Sequence, residues 1–252
     1  MDDAALLRYS RQIMLPQLDV AGQERLLAAR VLVVGLGGLG SPVALYLAAA
    51  GVGRLDLADG DVVDASNLQR QILHGETDVG RSKAASARDR IAALDPGVDV
   101  SVHGTRLVGE ALDAAVAAAD VVVDATDDLD TRYAMNRACL AHRRPLVSAA
   151  AIRFEAQLST FDARREDSPC YRCLWPDATA LEAACAENGV IAPLVGIVGS
   201  LQALEVIRLV AGIGEPLVGR VLVYDGLGNR FDEFRFARRA TCPDCGTPIP
   251  PT

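Results

Sequence analysis

Val31-Leu32-Val33-Val34-Gly35-Leu36-Gly37-Gly38-Leu39-Gly40 is the stretch on which the fold turns. The apolar, β-branched run Val31–Val34 reads as a strand buried in a parallel sheet. The glycines at 35, 37, 38 and 40 fit G-x-G-x-x-G, directly after that strand and before an apolar helix reaching Ala50. Glycine lets backbone approach a phosphate, and the helix N-terminus adds N–H donors and partial positive charge. Arg54–Ala58 alternates and reads as the next strand. It ends on Asp59, about 20 residues past the loop, where an acid can bind ribose hydroxyls. A plain turn acid at a strand end is the other reading of Asp59. The pattern points to an adenine nucleotide without choosing NAD or ATP, which share the adenosine half.

Outward from this unit, apolar β-branched runs lie at Val98–Val102, Val121–Val123 and Leu146–Val147. Helical stretches separate them, at 83–94, 109–118 and 131–142. Alternating strands and helices predict an α/β, Rossmann-like fold: a right-handed, mostly parallel sheet with helices on both faces. Residues 2–30 read as a polar helical segment. After about residue 150 the pattern changes. Phe154–Phe161 alternates, and Arg220–Tyr224 with Arg230–Phe236 forms a hairpin around Asp225–Asn229. Antiparallel strands therefore extend the sheet, with the apolar helix Ala192–Val210 between them. The expectation is one domain over 1–252: an N-terminal helical segment (1–30), a nucleotide-binding part (31–150) and an antiparallel extension (151–252).

Half of the 252 residues are hydrophobic and 23% are charged, which excludes disorder as the main state. The formal net charge of −8 argues against nucleic acid as a partner. The most apolar run, Val190–Leu201, is shorter than the roughly 18–20 residues of a membrane span, and Gln202, Glu205 and Arg208 follow it. No membrane partner is expected. Met1-Asp2-Asp3 is acidic where a signal peptide would be basic, so the chain reads as cytoplasmic.

Lys83 is the sole lysine among 25 basic residues. Arginine abundance reflects genome composition as readily as function, but a lone lysine marks a place where guanidinium does not serve. A triphosphate carries more charge than a dinucleotide and needs several cations near the glycine loop. Arg70, in Asn67-Leu68-Gln69-Arg70-Gln71, can fork onto phosphate oxygens, and Lys83 can act as a point charge. Asp124-Ala125-Thr126-Asp127-Asp128 lies at the C-terminal end of a strand, the edge where ligands bind in open α/β sheets. A carboxylate there can hold Mg²⁺ beside substrate phosphates.

Four of the six cysteines form Cys170-x-x-Cys173 and Cys242-x-x-Cys245. Two such turns make a tetrahedral thiolate site for Zn²⁺. With four thiolates no coordination position is left for water, so the site staples the tail to a distant loop rather than catalysing. Disulfides are the alternative, disfavoured in a cytosolic setting. Cys139 sits in an apolar helical pattern and reads as core. Cys185, in the polar stretch Ala184–Gly189, is either an accessible nucleophile or an inert loop cysteine.

In this order, Arg8-Tyr9-Ser10-Arg11-Gln12, the glycine loop, Ser66–Gln71, Asp124–Asp127, Pro169–Cys173 and Cys242–Cys245 resemble the ThiF/MoeB superfamily. These are E1-like activating enzymes of sulfur-carrier proteins. The resemblance covers nearly the whole chain. It departs at Asp128, where the family pattern has Asn, and the expectation is that no rhodanese domain follows the second cysteine pair.

The resemblance implies ATP-dependent adenylation of the C-terminal glycine of a ubiquitin-like sulfur-carrier protein ending in Gly-Gly. It assigns Asp59 to ribose, Asn67, Arg70 and Lys83 to phosphates, and Asp127 to Mg²⁺. It places Arg11 on the phosphates of the other subunit of a homodimer. The sulfur donor would be another protein, such as a desulfurase or a separate rhodanese. Two other classes share part of the pattern. An NAD-dependent Rossmann oxidoreductase leaves Arg70, Lys83 and the cysteine turns unexplained, and a non-catalytic docking module for a ubiquitin-like protein would bind no ATP.

Overall fold

The computed structural model describes residues 1–177 and 189–246. Its first strand, β1 (Arg30–Val34), shows why the core is double. Successive strand side chains point to opposite faces. Val31 and Val33 therefore join one buried cluster with Leu55, Leu57, Val121 and Val123. Leu32 and Val34 join the other with Ala58 and Val122. Both faces of the strand are dry, which is why its sequence is a continuous apolar run.

The remaining strands are β2 (Arg54–Ala58), β3 (Asp99–His103), β4 (Val121–Asp124), β5 (Pro145–Ile152), β6 (Glu155–Asp162), β7 (Arg220–Asp225) and β8 (Arg230–Arg235). They form one eight-stranded sheet in the order β3-β2-β1-β4-β5-β6-β7-β8. Pairing is parallel from β3 to β5 and antiparallel from β5 to β8. The expected fold class and the expected hairpin are both present. Strand β5 is longer than its expected core of Leu146–Val147. Its first half pairs β4, and its whole length pairs β6 from Pro145↔Asp162 to Ile152↔Glu155. The alanines at 149–151 carry no strong strand signal, and only the β6 partner makes them strand.

The helices are α1 (Asp3–Arg8), α2 (Ser10–Ile13), α3 (Asp19–Ala28), α4 (Gly40–Ala49), α5 (Lys83–Leu94), α6 (Gly109–Ala118), α7 (Leu129–His142), α8 (Tyr171–Leu174) and α9 (Ala192–Ala211). Helix α7 begins two residues earlier than its pattern predicts, because Asp128 accepts a hydrogen bond from Thr131 N–H (2.7 Å) and caps it. Helix α9 ends at Gly212, which takes the left-handed conformation with φ 66°.

Helix α9 matches the apolar helix expected over Ala192–Val210 to within one residue. The apolar run is not confined to Val190–Leu201. The helix continues to Ala211, and an 18-residue window within it has mean hydropathy 1.8, long and apolar enough to cross a membrane. Half of it is buried against the sheet and α4. Its polar groups are spent on the core. Gln202 Nε2 donates to the Asp124 (2.7 Å) and Val147 (3.3 Å) carbonyls. Glu205 accepts from the Thr160 hydroxyl and Leu217 N–H, both at 2.7 Å.

Candidate nucleotide site and cysteine cluster

The strand order reverses between β1 and β4, and an open α/β sheet binds ligands at the carboxyl ends of such strands. A cavity of about 400 Å³ lies there. Gly35, Gly37 and Gly38 form its floor after β1, Asp59 and Asp61 its rim after β2, and Thr126–Asp128 its wall after β4.

The loop's geometry depends on missing side chains. Gly35 has φ +91°, and a Cβ there would lie 2.6 Å from the Ala125 carbonyl oxygen. Gly40 does not line the cavity. A Cβ at Gly40 would lie 1.9 Å from the Gly35 carbonyl oxygen, so its part is to let α4 pack on the loop. Gly40→Ala is expected to cost on the order of 1–3 kcal/mol by overpacking and to weaken ATP binding. Chemical denaturation and a nucleotide titration check this; unchanged ATP affinity would separate α4 packing from the site.

The Leu36 peptide is held from both sides. Its N–H donates to Asp59 Oδ2 (2.8 Å), and its carbonyl lies 3.0 Å from His74 Nε2. The His74 Nδ1 sits 2.9 Å from the Ser86 hydroxyl on α5. A carbonyl only accepts, so Nε2 carries the proton and Nδ1 accepts from Ser86. Burial first of all holds the His74 pKa below its usual value. Asp59 Oδ1 accepts from Asp61 N–H (2.8 Å), so this acid orders the loop whether or not ribose is bound.

Asn67, Arg70, Lys83 and Asp127 all line the cavity. Lys83 is buried, with Nζ 2.8 Å from Asp61 Oδ2. Arg70 lies against the Ser66 carbonyl (3.5 Å). Arg11, exposed on α2, is not among the lining residues. Cys185 lies outside the described residues.

Several residues escaped the sequence reading. Asp61 pairs with Lys83, and its only signal was its place two residues past Asp59. Gln71 was quoted within a motif but given no role. It is buried, its Nε2 donates to Asn67 Oδ1 (2.6 Å), and its Oε1 has no partner among the described residues. Arg106 also lines the cavity. It pairs with Asp128 and donates to Thr131 Oγ1 (2.8 Å). Asp128, the departure from the family's Asn, thus still caps α7 and adds an ion pair that Asn lacks. Burial acts to raise the Asp128 pKa, but Arg106 and Thr131 outweigh it and the net shift is downward.

The four cysteines of the two turns lie together, with all sulfurs within 4.8 Å of one another. Cys170–Cys173, Cys170–Cys242 and Cys173–Cys245 are 3.9, 3.6 and 3.4 Å apart. Zinc–thiolate bonds of about 2.3 Å in a tetrahedron put sulfurs about 3.8 Å apart, whereas a disulfide needs about 2.05 Å. The donor set therefore fits Zn²⁺ and not a disulfide. Cys139 is a free thiol buried in the second cluster, as expected, and burial pushes its pKa up. Cys245→Ser is expected to drop bound zinc well below one per chain. A loss of about 2–3 kcal/mol would lower Tm by roughly 5–10 °C for a chain this size. Metal analysis and a thermal melt read both; full zinc content in the variant would remove Cys245 from the ligand set.

Comparison with known proteins agrees with this geometry. The model of the ThiF family matches residues 9–245. The chain is 47% identical over 246 residues to the sulfur carrier protein ThiS adenylyltransferase of Escherichia coli, covering 98% of this chain and 97% of that one. It is 45% identical to the molybdopterin-synthase adenylyltransferase of Salmonella typhimurium, covering 98% of each. It is 49% identical to mouse adenylyltransferase and sulfurtransferase MOCS3, where it covers 95% of this chain but only 52% of that protein. Among solved structures, E. coli MccB with ATP superposes with TM-score 0.82 at 23% identity, over 95% of this chain and 73% of that one. That likeness concerns the fold alone. With the family model spanning the glycine loop, Asn67, Arg70, Lys83 and both cysteine turns, this chain belongs to the ThiF family.

Proposed function

We propose that the chain is the ATP-dependent adenylyltransferase of a ubiquitin-like sulfur-carrier protein ending in Gly-Gly, acting as one adenylation domain over residues 1–252. The observation that carries this reading is the cavity at the sheet's switch point, where Arg70 and Lys83 join the glycine loop and Asp127. A carboxylate oxygen of the carrier's last glycine attacks the α-phosphorus of ATP. The bond from that phosphorus to the bridging oxygen breaks, pyrophosphate leaves with the electron pair, and an acyl-adenylate forms. An α-carboxyl, with pKa about 3.5, is already ionised at neutral pH, so no general base is required. What the protein supplies is position and charge neutralisation.

In this reading Asp59 binds ribose hydroxyls while keeping the Leu36 peptide in place. Asn67, Arg70 and Lys83 take the phosphates. Asp127 would hold Mg²⁺, which would neutralise charge on the departing pyrophosphate. Arg11 would be delivered by the partner of a homodimer, and Cys185 would act only after adenylation. A hydride-transferring enzyme gives Arg70 and Lys83 no task, and a docking module gives the glycine loop none.

The carrier's identity is not set by similarity, because relatives named for different carriers lie at 47% and 45% identity. Pyrophosphate–ATP exchange against a panel of purified Gly-Gly carriers tests the proposal. Exchange that depends on one carrier is the expected result. No exchange with any carrier, alongside NAD-dependent hydride transfer, would overturn it.

A further inference from the structure

Arg132 lines the nucleotide cavity but is committed to the protein. It sits one turn into α7 and reaches back beneath the β4–α7 turn. Its Nε donates to the Thr126 carbonyl (3.2 Å), and Nη2 reaches both that carbonyl and the Ala149 carbonyl (3.2 Å). The same guanidinium lies 3.4 Å from Asp124, a carboxylate with no exposed surface that also accepts from the Ser148 hydroxyl (2.6 Å). Thr126 directly precedes Asp127. The direction of the Asp127 side chain therefore depends on a peptide that Arg132 holds.

Four residues on, and so on the same helix face, stands Asn136. It is buried. Its Oδ1 accepts from Tyr171 N–H (2.9 Å), and its Nδ2 donates to Asp244 Oδ2 (2.8 Å). Tyr171 lies between Cys170 and Cys173, and Asp244 between Cys242 and Cys245. One buried amide thus grips both cysteine turns, and the helix carrying it also carries Arg132. The Tyr171 and Tyr133 rings meet edge-on with centroids 5.7 Å apart, which packs the first turn onto α7 a second time.

We propose that Arg132 is a positioning residue that aims Asp127 through the Thr126 carbonyl, and that Asn136 couples this arrangement to metal occupancy of the cysteine cluster. The cluster then does more than staple the tail: it fixes the middle of the helix whose first turn orders the cavity wall. The assignment of Asp127 to a phosphate-bound divalent ion rests on the function proposed above. The coupling itself rests only on these contacts.

The test uses the full chain loaded with one equivalent of Zn²⁺. Arg132→Ala would strand the buried Asp124 charge, so Arg132→Lys is the variant: it keeps a cation there but cannot fork onto two carbonyls. Amide hydrogen exchange of residues 125–128 is the first readout. In wild type, stripping zinc with a chelator should speed exchange about tenfold, the loss of roughly one charged hydrogen bond. Arg132→Lys should show that increase with zinc still bound, and Asn136→Ala should make exchange insensitive to stripping. Binding of ATP with Mn²⁺ is the second. Arg132→Lys should raise the Mn²⁺ concentration for half-maximal effect about tenfold while metal-free ATP affinity stays put. Unchanged exchange at 125–128 in zinc-stripped wild type would overturn the coupling. Equal losses of metal-free and Mn²⁺-dependent binding would overturn the positioning role, since a direct phosphate contact or general damage behaves that way. If wild type binds no ATP, the adenylation reading fails, and hydrogen exchange alone still decides the coupling.

Discussion

Lys83→Arg is expected to slow pyrophosphate–ATP exchange by roughly 10²–10³, nearly as much as Lys83→Ala, because a charge-assisted contact made in the transition state is worth about 2–4 kcal/mol. The side chain is only 7% exposed at the start of α5, with Nζ against Asp61. A broad planar guanidinium does not occupy that place as an ammonium does. The fold should survive either change. Asp61 is 75% exposed, so losing its partner leaves a solvated acid rather than a buried charge. A melt close to wild type with exchange nearly abolished is the expected pair of results. Near-full exchange in Lys83→Arg would mean that the single lysine is a chance survivor of an arginine-rich composition.

Mixing two inactive chains, Arg11→Ala and Lys83→Ala, is expected to restore activity once their subunits exchange. In a mixed dimer one site carries both defects and the other carries neither, so recovery should reach about half of wild type per mixed dimer. The structure sharpens the argument. Arg11 is exposed on α2, while its neighbours are tied down. Tyr9 donates to Asp95 (2.7 Å), and Gln12 Nε2 donates to Gln23 Oε1 (2.9 Å) and the Ala50 carbonyl (3.0 Å). Burial and the Asp95 carboxylate push the Tyr9 phenol up to about 12, so that link persists over the working pH range. The segment is thus pinned on both sides of a guanidinium without a partner among the described residues, a group suited to forking onto a partner's phosphates. Activity that stays absent despite demonstrated subunit exchange would mean Arg11 serves its own chain.

How much of the site was legible depended on the kind of contact. The glycine loop and Asp59 could be read because strand, turn and helix lie consecutively, and the phosphate geometry is local. Arg70 and the lone Lys83 could be read as candidate cations, and Asp127 because it follows the end of β4 on the edge where parallel strands bring their carboxyl ends together, whereas Asn67 came from the family resemblance. Arg132 and Arg106 carried no such mark. Each is one more arginine in a chain full of them, and only its hydrogen-bonding partners distinguish it. Gln71 belonged to a quoted motif, yet its burial, with Oε1 unpaired among the described residues, is a tertiary fact.

By itself, the sequence determined the alternation of strands and helices, the nucleotide loop and the pairing of the two cysteine turns. These follow from side-chain period, glycine's small size and thiolate chemistry, all of which act over a few residues or leave a spacing to read. The tertiary structure alone decided that β5 runs eight residues, since its alanines become strand only against β6. It alone decided how the apolar α9 seats its polar groups in the core, because Gln202 and Glu205 find partners on strands and turns far away in the chain. It alone joined Asn136 to Tyr171 and Asp244 across 35 and 108 residues. Contacts between distant segments leave no period in either of them, and only packing brings them together.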